Sequence, residues 1–206
     1  MGFYRDRVFP RVINVVMNTK ETRRIRAEVC APLSGTVLEI GFGTGLNLPH
    51  MPSAVTRLLA VDPMERGRHL AADRIAATTV PVEFVGLDGE SLPVEDGSMD
   101  AVLATWTLCT IPDPSAAIAE VRRVLRPGGT FHFVEHGCSP DEKVRKWQDR
   151  VNGLNKRMAA GCNVNRDIPA TIEGGGLTIR ELQTFYTKGE PKTTGWTFQG
   201  VAGITA

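Results

Sequence analysis

The sequence of 206 residues lacks a strong net charge and any long apolar run. Its formal net charge is +1, so no whole-molecule field would recruit nucleic acid, and we expect no nucleic-acid partner. A membrane-spanning helix needs about 20 apolar residues. The apolar stretch from Val12 to Met17 is short and is interrupted by Asn14. No small-residue cleavage site follows it, so we expect no signal peptide and a cytoplasmic location.

Cysteine is sparse, and the four cysteines are widely spaced at Cys30, Cys109, Cys138 and Cys162. They form no C-x-x-C pair, and the spacing that is typical of zinc sites is absent. We therefore expect four free thiols in a reducing compartment and no bound metal. At this length the chain can bury a core that needs neither disulfides nor a metal.

Short, mostly apolar segments alternate with helical patterns, which is typical of strands that are covered on both faces. Five of them are predicted strands: Thr36–Ile40, Arg57–Val61, Val82–Val85, Met99–Thr105 and Thr130–Glu135. Leu177–Tyr186 and Thr194–Ile204 follow with no helical pattern between them, so we expect them to pair antiparallel. This order predicts an α/β fold: a Rossmann-like, doubly wound, seven-stranded sheet that is mostly parallel with an antiparallel terminal hairpin.

Two helices are predicted in the second half of the chain. Pro114–Leu125 has one apolar face, and Asp113 is placed to cap it. A longer helix is expected after Ser139, which should form a capping box with Glu142. Its apolar stripe consists of Val144, Trp147, Val151 and Leu154.

The first predicted strand leads into a glycine-rich turn, Glu39–Gly45. Glycines at the carboxyl end of a strand let a ligand approach the backbone closely, at the edge where open α/β sheets bind ligands. The dinucleotide fingerprint G-x-G-x-x-G requires a small residue at position 46, which is Leu46 here. The spacing G-x-G-x-G instead indicates S-adenosylmethionine (SAM). The residues of this turn predicted to bind it are Glu39, Gly41, Phe42, Gly43 and Gly45.

Further cofactor contacts are expected where the next strands end. Asp62 ends the second strand, where a carboxylate can accept both ribose hydroxyls or cap a helix. Met64 is placed to pack on adenine or in the core. Asp88 and Gly89 follow the third strand, where a carboxylate can accept the adenine amino hydrogen or close a turn. Thr105, at the end of the fourth strand, completes the predicted set.

These motifs resemble class I SAM-dependent methyltransferases of the type 11 group over residues 35–136. The resemblance rests on Glu39–Gly45, Asp62, Asp88–Pro93, Asp96–Asp100 and Val124–Gly129. It implies that SAM is the methyl donor and that the last strand of seven is antiparallel. It also implies that SAM is contacted by Glu39, Gly41, Gly43, Asp62 and Asp88. Residues 1–30 are then predicted to be an N-terminal helical extension and residues 31–206 the SAM-dependent methyltransferase domain.

A narrower set of motifs is similar to methyltransferase-like proteins that methylate alkyl thiols in vertebrates, and to bacterial relatives labelled phosphatidylethanolamine N-methyltransferases. These motifs are Thr107–Ile111, Phe133–His136, Trp147-Gln148 and Gly161–Arg166. The chain departs from the vertebrate relatives in having a short amphipathic start where they carry a hydrophobic anchor. It also has Phe42 where many relatives have a small residue or cysteine, and we expect this ring to reshape one wall of the SAM site.

Methyl transfer from a sulfonium is an in-line displacement that needs correct positioning and no covalent intermediate, so no strong catalytic motif is required. The segment Thr105–Thr110 faces the methyl group in this fold. His136 is the candidate general base, with Glu135 expected to orient it or the substrate, and the alternative for His136 is a structural turn residue. The predicted acceptor pocket consists of Tyr4, Trp106, Cys109 and Cys162, each with packing or surface exposure as its alternative.

The expected function is methyl transfer from SAM to a small molecule, with a thiol as the first candidate acceptor. The alternatives are an N-methyltransferase of an aminophospholipid head group or other small amine, a SAM-binding protein without turnover, and a nicotinamide dehydrogenase. The basic N-terminal extension indicates either a solvated helix face or weak peripheral contact with anionic lipid. Its arginines are Arg5, Arg7, Arg11, Arg23, Arg24 and Arg26.

Overall fold

The computed structural model describes residues 8–159 and 161–204. Its strands are β1 (Gly35–Ile40), β2 (Val55–Val61), β3 (Val82–Gly86), β4 (Met99–Thr105), β5 (Leu125–His136), β6 (Thr178–Tyr186) and β7 (Trp196–Gly203). Its α-helices are α1 (Phe9–Val16), α2 (Lys20–Cys30), α3 (Glu65–Leu70), α4 (Ala72–Ala77), α5 (Pro114–Val124), α6 (Glu142–Met158), α7 (Ile168–Gly174) and α8 (Lys192–Gly195). All seven predicted strands are present, and β4 has the predicted bounds.

The seven strands form one sheet in the order β3-β2-β1-β4-β5-β7-β6. The pairs from β3 through β5 are parallel, and β7 runs antiparallel to both β5 and β6. The predicted mostly parallel sheet with an antiparallel terminal hairpin is therefore confirmed. The carboxyl ends of β1, β2, β4 and β5 meet at one edge of the sheet, where this fold class binds ligands.

Helices cover both faces of the sheet, so the chain has two apolar layers. On one face, Leu38 and Ile40 pack with Ile118 of α5 and Ile172 of α7. On the other face, neighbouring strand residues pack against α2, and Val37 belongs to that layer. The strands are apolar on both sides for this reason, as their sequences predict.

β5 begins earlier than predicted. The predicted strand starts at Thr130, but Leu125 already pairs with Met99 of β4, so Pro127-Gly128-Gly129 lies within the strand. The register then shifts between Met99 and Ala101, which absorbs the proline and glycines as an irregularity within the strand. Gly128 takes a φ of 82° there.

The two predicted helices of the second half are present, with one capping error. α5 is capped by Asp113, whose carboxylate accepts hydrogen bonds from the next turn as expected. α6 is capped by Asp141, not by Ser139, because an aspartate closer to the helix satisfies its first amides. Ser139 is instead fully buried, where its hydroxyl bonds the Tyr186 hydroxyl at 2.8 Å. The stripe on α6 does not form core, since its residue Trp147 is 56% exposed.

The N-terminal part is helical as expected over the described residues. α2 buries Ile25 and Cys30 in the layer that covers the sheet, so it packs on the domain, while a boundary at residue 30 stays a prediction. Arg24 forms salt bridges with Glu21 and Glu28. In the described part of the chain, no helix is both long and apolar enough to span a bilayer. The predicted lipid contact stays a prediction, and Tyr4, Arg5 and Arg7 lie outside the described residues.

Candidate active site

The glycine-rich turn follows β1 directly and depends on backbone conformations that favour glycine. Gly41, Gly43 and Gly45 have φ values of 78°, 56° and 72°. A Cβ atom at Gly41 would lie 2.0 Å from the Thr107 hydroxyl, which belongs to the segment after β4. Gly41 is therefore required twice, for its φ and because the neighbouring segment packs directly against its backbone.

The ring of Phe42 is buried in the core and packs against the glycine-rich turn, since a Cβ atom at Gly45 would lie 3.1 Å from Phe42 Cζ. It is 2% exposed and packs edge-to-face on Phe84 with ring centroids 5.1 Å apart. The expectation that this ring reshapes a wall of the SAM site stays a prediction. Gly67 of α3 is a contact that sequence analysis missed: a Cβ there would lie 2.3 Å from the Gly43 carbonyl oxygen.

Asp62, at the end of β2, ties the glycine-rich turn to the following loop. Its Oδ2 accepts a hydrogen bond from the Gly43 amide at 2.6 Å, and its Oδ1 accepts one from the Met64 amide at 2.7 Å. The side chain is 3% exposed. Burial raises the pKa of the Asp62 carboxyl, which the two backbone hydrogen bonds only partly oppose. The structure thus shows the turn-forming role of Asp62, and its ribose contact stays a prediction.

Glu39 is a buried carboxylate with an unused acceptor atom. Its side chain is 1% exposed, and its Oε1 accepts a hydrogen bond from Asn47 Nδ2 at 2.7 Å. Its Oε2 is buried and has no partner. Burial raises the pKa of Glu39 to about 8, against the opposing effects of Asn47 and the Arg26 charge. An unpartnered buried carboxylate oxygen is costly, so it indicates a position where a donor binds.

A network that sequence analysis missed connects Glu39 to the end of β4. Arg26 of α2 donates from Nη1 to Asn47 Oδ1 at 2.6 Å and to Thr105 Oγ1 at 2.9 Å. Asn47 also donates to Thr105 Oγ1 at 3.0 Å. Arg26 is 6% exposed, and burial lowers its pKa to about 10. The expectation that Arg26 lies on a solvated or lipid-facing surface is therefore wrong.

The predicted adenine contacts lie on the loop after β3. Asp88 is exposed, and its Oδ1 accepts a hydrogen bond from the Glu90 amide at 2.8 Å, which closes a local turn. Gly89 packs closely on β1, since a Cβ there would lie 2.8 Å from Ile40 Cγ2. The contacts of Asp88 and Gly89 with adenine stay predictions.

The segment after β4 begins with a strained residue. Trp106 has a φ of 52°, and among the described residues no other non-glycine residue has a positive φ. Such a conformation costs on the order of 1–3 kcal/mol and is commonly found at functional sites. The Arg26 guanidinium carbon lies 4.8 Å from the centre of its ring. Trp106 Nε1 is buried without a hydrogen-bond partner.

Glu135 of β5 fixes the backbone of the segment after β4 by hydrogen bonds. Its Oε1 accepts hydrogen bonds from the amides of Thr107 and Leu108 at 2.8 and 2.9 Å, and its Oε2 accepts one from the Cys109 amide at 3.3 Å. The side chain is completely buried, and burial raises its pKa to about 7. The structure thus shows that Glu135 fixes this backbone, and its role in orienting His136 or the substrate stays a prediction.

The fold brings together Cys109, His136 and Cys162 from three separate segments. His136 Nε2 lies 3.3 Å from Cys109 Sγ and 3.0 Å from Cys162 Sγ, and the two sulfurs are 3.4 Å apart. Both cysteines are buried, and His136 is partly exposed. The predicted pocket residues Cys109 and Cys162 are thus neighbours, which their spacing in the sequence does not indicate.

The close contacts within this cluster shift the pKa values of all three side chains. The hydrogen bond from Cys109 lowers the pKa of Cys162, as does His136, although burial opposes this. The same hydrogen bond and burial raise the pKa of Cys109. Burial opposes protonation of His136, but its contact with Cys162 outweighs this and raises its pKa. His136 Nε2 contacts both sulfurs, whereas its Nδ1 is buried without a hydrogen-bond partner, and the role of His136 as general base stays a prediction.

Known proteins that are similar to this chain are methyltransferases. Residues 38–133, which include the glycine-rich turn and the segment after β4, match the family described as "Methyltransferase domain". The chain is 35% identical over 160 residues to human thiol S-methyltransferase TMT1B, covering 71% of this chain and 62% of that protein. It is 32% identical over 163 residues to human thiol S-methyltransferase TMT1A, covering 72% of this chain and 62% of that protein.

The chain therefore spans somewhat less than two thirds of the length of these curated relatives. Among solved structures, it resembles the Haloferax volcanii protein bound to the Trm112 methyltransferase activator, with a TM-score of 0.74 and 16% identity. That alignment covers 98% of this chain and 96% of the other. At this identity the similarity supports the Rossmann-like fold and nothing more specific.

Proposed function

We propose that this protein is a SAM-dependent methyltransferase that transfers a methyl group to the sulfur of a small thiol. The observation that carries the proposal is the position of Glu39, whose buried Oε2 lacks a partner beside the glycine-rich turn of a methyltransferase domain. Support for a thiol acceptor comes from the relatives named thiol S-methyltransferases.

The residues at this edge of the sheet fit SAM. The free oxygen of Glu39 is suited to accept the ammonium group, and the buried guanidinium of Arg26 is suited to pair with the carboxylate. The bare backbone of Gly41 and Gly43 allows close approach of the adenosyl part. Asp62, whose oxygens each have a further lone pair, is suited to accept ribose hydroxyls. We accordingly assign the cofactor to this turn.

The acceptor is placed beside the segment Trp106–Thr110, because this segment packs on the glycine-rich turn through the contact between Thr107 and Gly41. Glu135 fixes the segment by three amide hydrogen bonds, and it therefore sets the distance between acceptor and methyl group. In an in-line displacement the reacting atoms must lie about 3–3.5 Å apart, so a rigid support for this segment contributes directly to rate.

SAM supplies a methyl group on a positively charged sulfur. The protein must hold the thiol acceptor as a thiolate, and a free thiol with a pKa of about 8.5 is mostly protonated at neutral pH. The partly buried Arg166, which donates to the Leu108 carbonyl, places positive charge beside this segment and favours the thiolate. Because thiolate and sulfonium neutralise each other, a dry site lowers the barrier further.

The test is to incubate purified protein with labelled SAM and either a small alkyl thiol or vesicles that contain an aminophospholipid. We expect label in a thioether, and no labelled lipid. The Asp62→Ala variant should lose most of its affinity for S-adenosylhomocysteine, whereas Glu83→Ala, on the exposed edge strand, serves as the matched control and should retain it.

Three outcomes would contradict the proposal. Label in the lipid head group would identify an aminophospholipid N-methyltransferase. Tight binding of S-adenosylhomocysteine without turnover of either acceptor would identify a binding protein. Unchanged affinity in the Asp62→Ala variant would show that the ribose position is wrong.

A further inference from the structure

We propose that Cys109, His136 and Cys162 bind one Zn²⁺ ion and that the open fourth position of this ion takes the thiolate of the acceptor. The zinc site stands on the geometry of these three side chains, while its role in catalysis rests on the function proposed above. The earlier expectation of no metal came only from the spacing of cysteines along the sequence.

The three donor atoms form a nearly equilateral triangle. Its sides are 3.0, 3.3 and 3.4 Å, measured between His136 Nε2, Cys162 Sγ and Cys109 Sγ. With Zn–S distances of about 2.3 Å and Zn–N distances of about 2.0 Å, ligand atoms around a tetrahedral zinc lie roughly 3.5–3.8 Å apart. The triangle therefore needs to widen by only a few tenths of an ångström to hold the ion.

The donor set is the one that zinc prefers. Two cysteine sulfurs and one imidazole nitrogen are soft to borderline ligands, and this combination is typical of catalytic zinc sites that keep one position open. Within the described residues, this is the one cluster of three or more potential ligands whose donor atoms lie within 4.8 Å of one another. Ordinary packing does not require two thiols and an imidazole nitrogen to converge on one point.

The backbone that carries the ligands is fixed by a surrounding shell of hydrogen bonds. The carbonyl of Cys109 accepts bonds from the Asn163 amide at 2.8 Å and from Asn163 Nδ2 at 3.1 Å. The carbonyl of Cys162 accepts a bond from Asn155 Nδ2 at 2.8 Å. Support of this kind orients ligands in metal sites and raises affinity, because less freedom is lost when the ion binds.

The cluster lies at the edge of the sheet where the methyl donor is assigned. Cys109 belongs to the segment Trp106–Thr110, in which Thr107 packs against the backbone of Gly41. Of the three ligands, His136 is the one that is partly exposed. We infer that an ion held here has its open position toward the same edge as the methyl group.

The chemistry balances without any further reactant. A thiol binds the open position of zinc and releases its proton to solvent, since metal coordination stabilises the thiolate. The thiolate sulfur then uses one electron pair to form a bond to the methyl carbon, while the bond from that carbon to the sulfonium breaks and its pair stays on the donor sulfur. The products are a neutral thioether, which leaves zinc, and S-adenosylhomocysteine.

The first experiment measures the metal itself. Purified protein is stripped with a chelator, reconstituted with one equivalent of Zn²⁺ or Co²⁺, dialysed and assayed for metal content. We expect one ion per chain, and for Co²⁺ the visible bands of a tetrahedral site together with thiolate-to-cobalt charge transfer. The Cys109→Ser and Cys162→Ser variants should lose both signals, and Cys138→Ser, a cysteine outside the cluster, should retain them.

The cobalt spectrum of the wild-type protein tests for the proposed metal site even if the cluster variants fail to fold. The proposal would be overturned if no metal binds, or if metal still binds to both cluster variants. It would also be overturned by a mass lower by two hydrogen atoms, which would indicate a Cys109–Cys162 disulfide. Addition of 2-mercaptoethanol to the cobalt protein should shift the charge-transfer band. A bound metal with no such shift would overturn the catalytic role, whereas a zinc site with no affinity for S-adenosylhomocysteine would overturn the proposed function instead.

Discussion

The Glu39→Gln substitution tests whether the free oxygen of Glu39 is a cofactor ligand. The substitution keeps the shape of the side chain and the acceptor for Asn47, but it removes the titratable carboxylate. Glu39 has a pKa raised by burial from 4.5 to about 8, so the folded protein binds this proton more tightly than the unfolded chain does. Between these two values the free energy of unfolding should fall as the pH rises, since the unfolded chain loses this proton while the folded protein still holds it.

The size of this change in the free energy of unfolding follows from the pKa shift of Glu39. Each unit of pKa corresponds to about 1.4 kcal/mol, so the Glu39 carboxylate destabilises the free protein at pH 8, relative to pH 5, by roughly 3–5 kcal/mol. Glu39→Gln removes this contribution. Urea unfolding at the two pH values should show that the variant gains stability over the wild type at pH 8 and gains little at pH 5. The exposed Glu83→Gln change serves as control and should leave the pH dependence unchanged.

Although Glu39→Gln should stabilise the free protein at pH 8, it should weaken cofactor binding. A hydrogen bond to a charged group is worth about 1.5–3 kcal/mol, so loss of the carboxylate should weaken S-adenosylhomocysteine binding on the order of 10- to 100-fold. Isothermal titration calorimetry measures this, and the wild type should also release protons on binding because the ligand's ammonium favours the ionised Glu39. A variant with wild-type affinity and an unchanged pH dependence of unfolding would refute the reasoning.

Three further predictions concern cofactor binding and stability. Gly41→Ala should abolish S-adenosylhomocysteine binding, while Gly128→Ala, which has a similar φ of 82° and no neighbour within 4 Å, should lose about 1–2 kcal/mol by urea unfolding and retain affinity. Glu135→Ala leaves three buried amides unpaired and should lower the free energy of unfolding by roughly 3 kcal/mol or more. The control Glu181→Ala, at an exposed position, should change it by less than about 0.5 kcal/mol, and equal losses in the two variants would contradict the assigned contacts. Trp147→Ser should change the melting temperature little, because the side chain is 56% exposed, and a large loss would show that α6 buries it.

The sequence predicts the sheet well because its strands are buried on both faces. Runs such as Met99–Thr105 are apolar throughout, and this pattern marks a central parallel strand independently of distant contacts. The glycine-rich turn is equally local, since the φ requirement of Gly41 is visible in the residue type. Errors occur where two nearby residues compete for one role, as when Asp141 rather than Ser139 caps α6.

The functional side chains are harder to predict because they meet only in the folded chain. Arg26 lies among exposed arginines in the sequence, and only the packing of α2 on the sheet shows that it is buried. The cluster of Cys109, His136 and Cys162 combines the segment after β4, the end of β5 and a later loop. The spacing of these residues in the sequence therefore does not indicate that they are in contact. Glu135 was predicted to orient His136 or the substrate, and nothing in its sequence position indicates that its oxygens accept hydrogen bonds from three amides of the segment after β4.

The central claim is that the glycine-rich turn after β1 binds SAM, and calorimetric titration of the purified protein with S-adenosylhomocysteine tests it most directly. The account predicts saturable binding of one ligand per chain. The same titration with NAD should give no heat of binding. Binding of NAD in the absence of any affinity for S-adenosylhomocysteine would contradict the account.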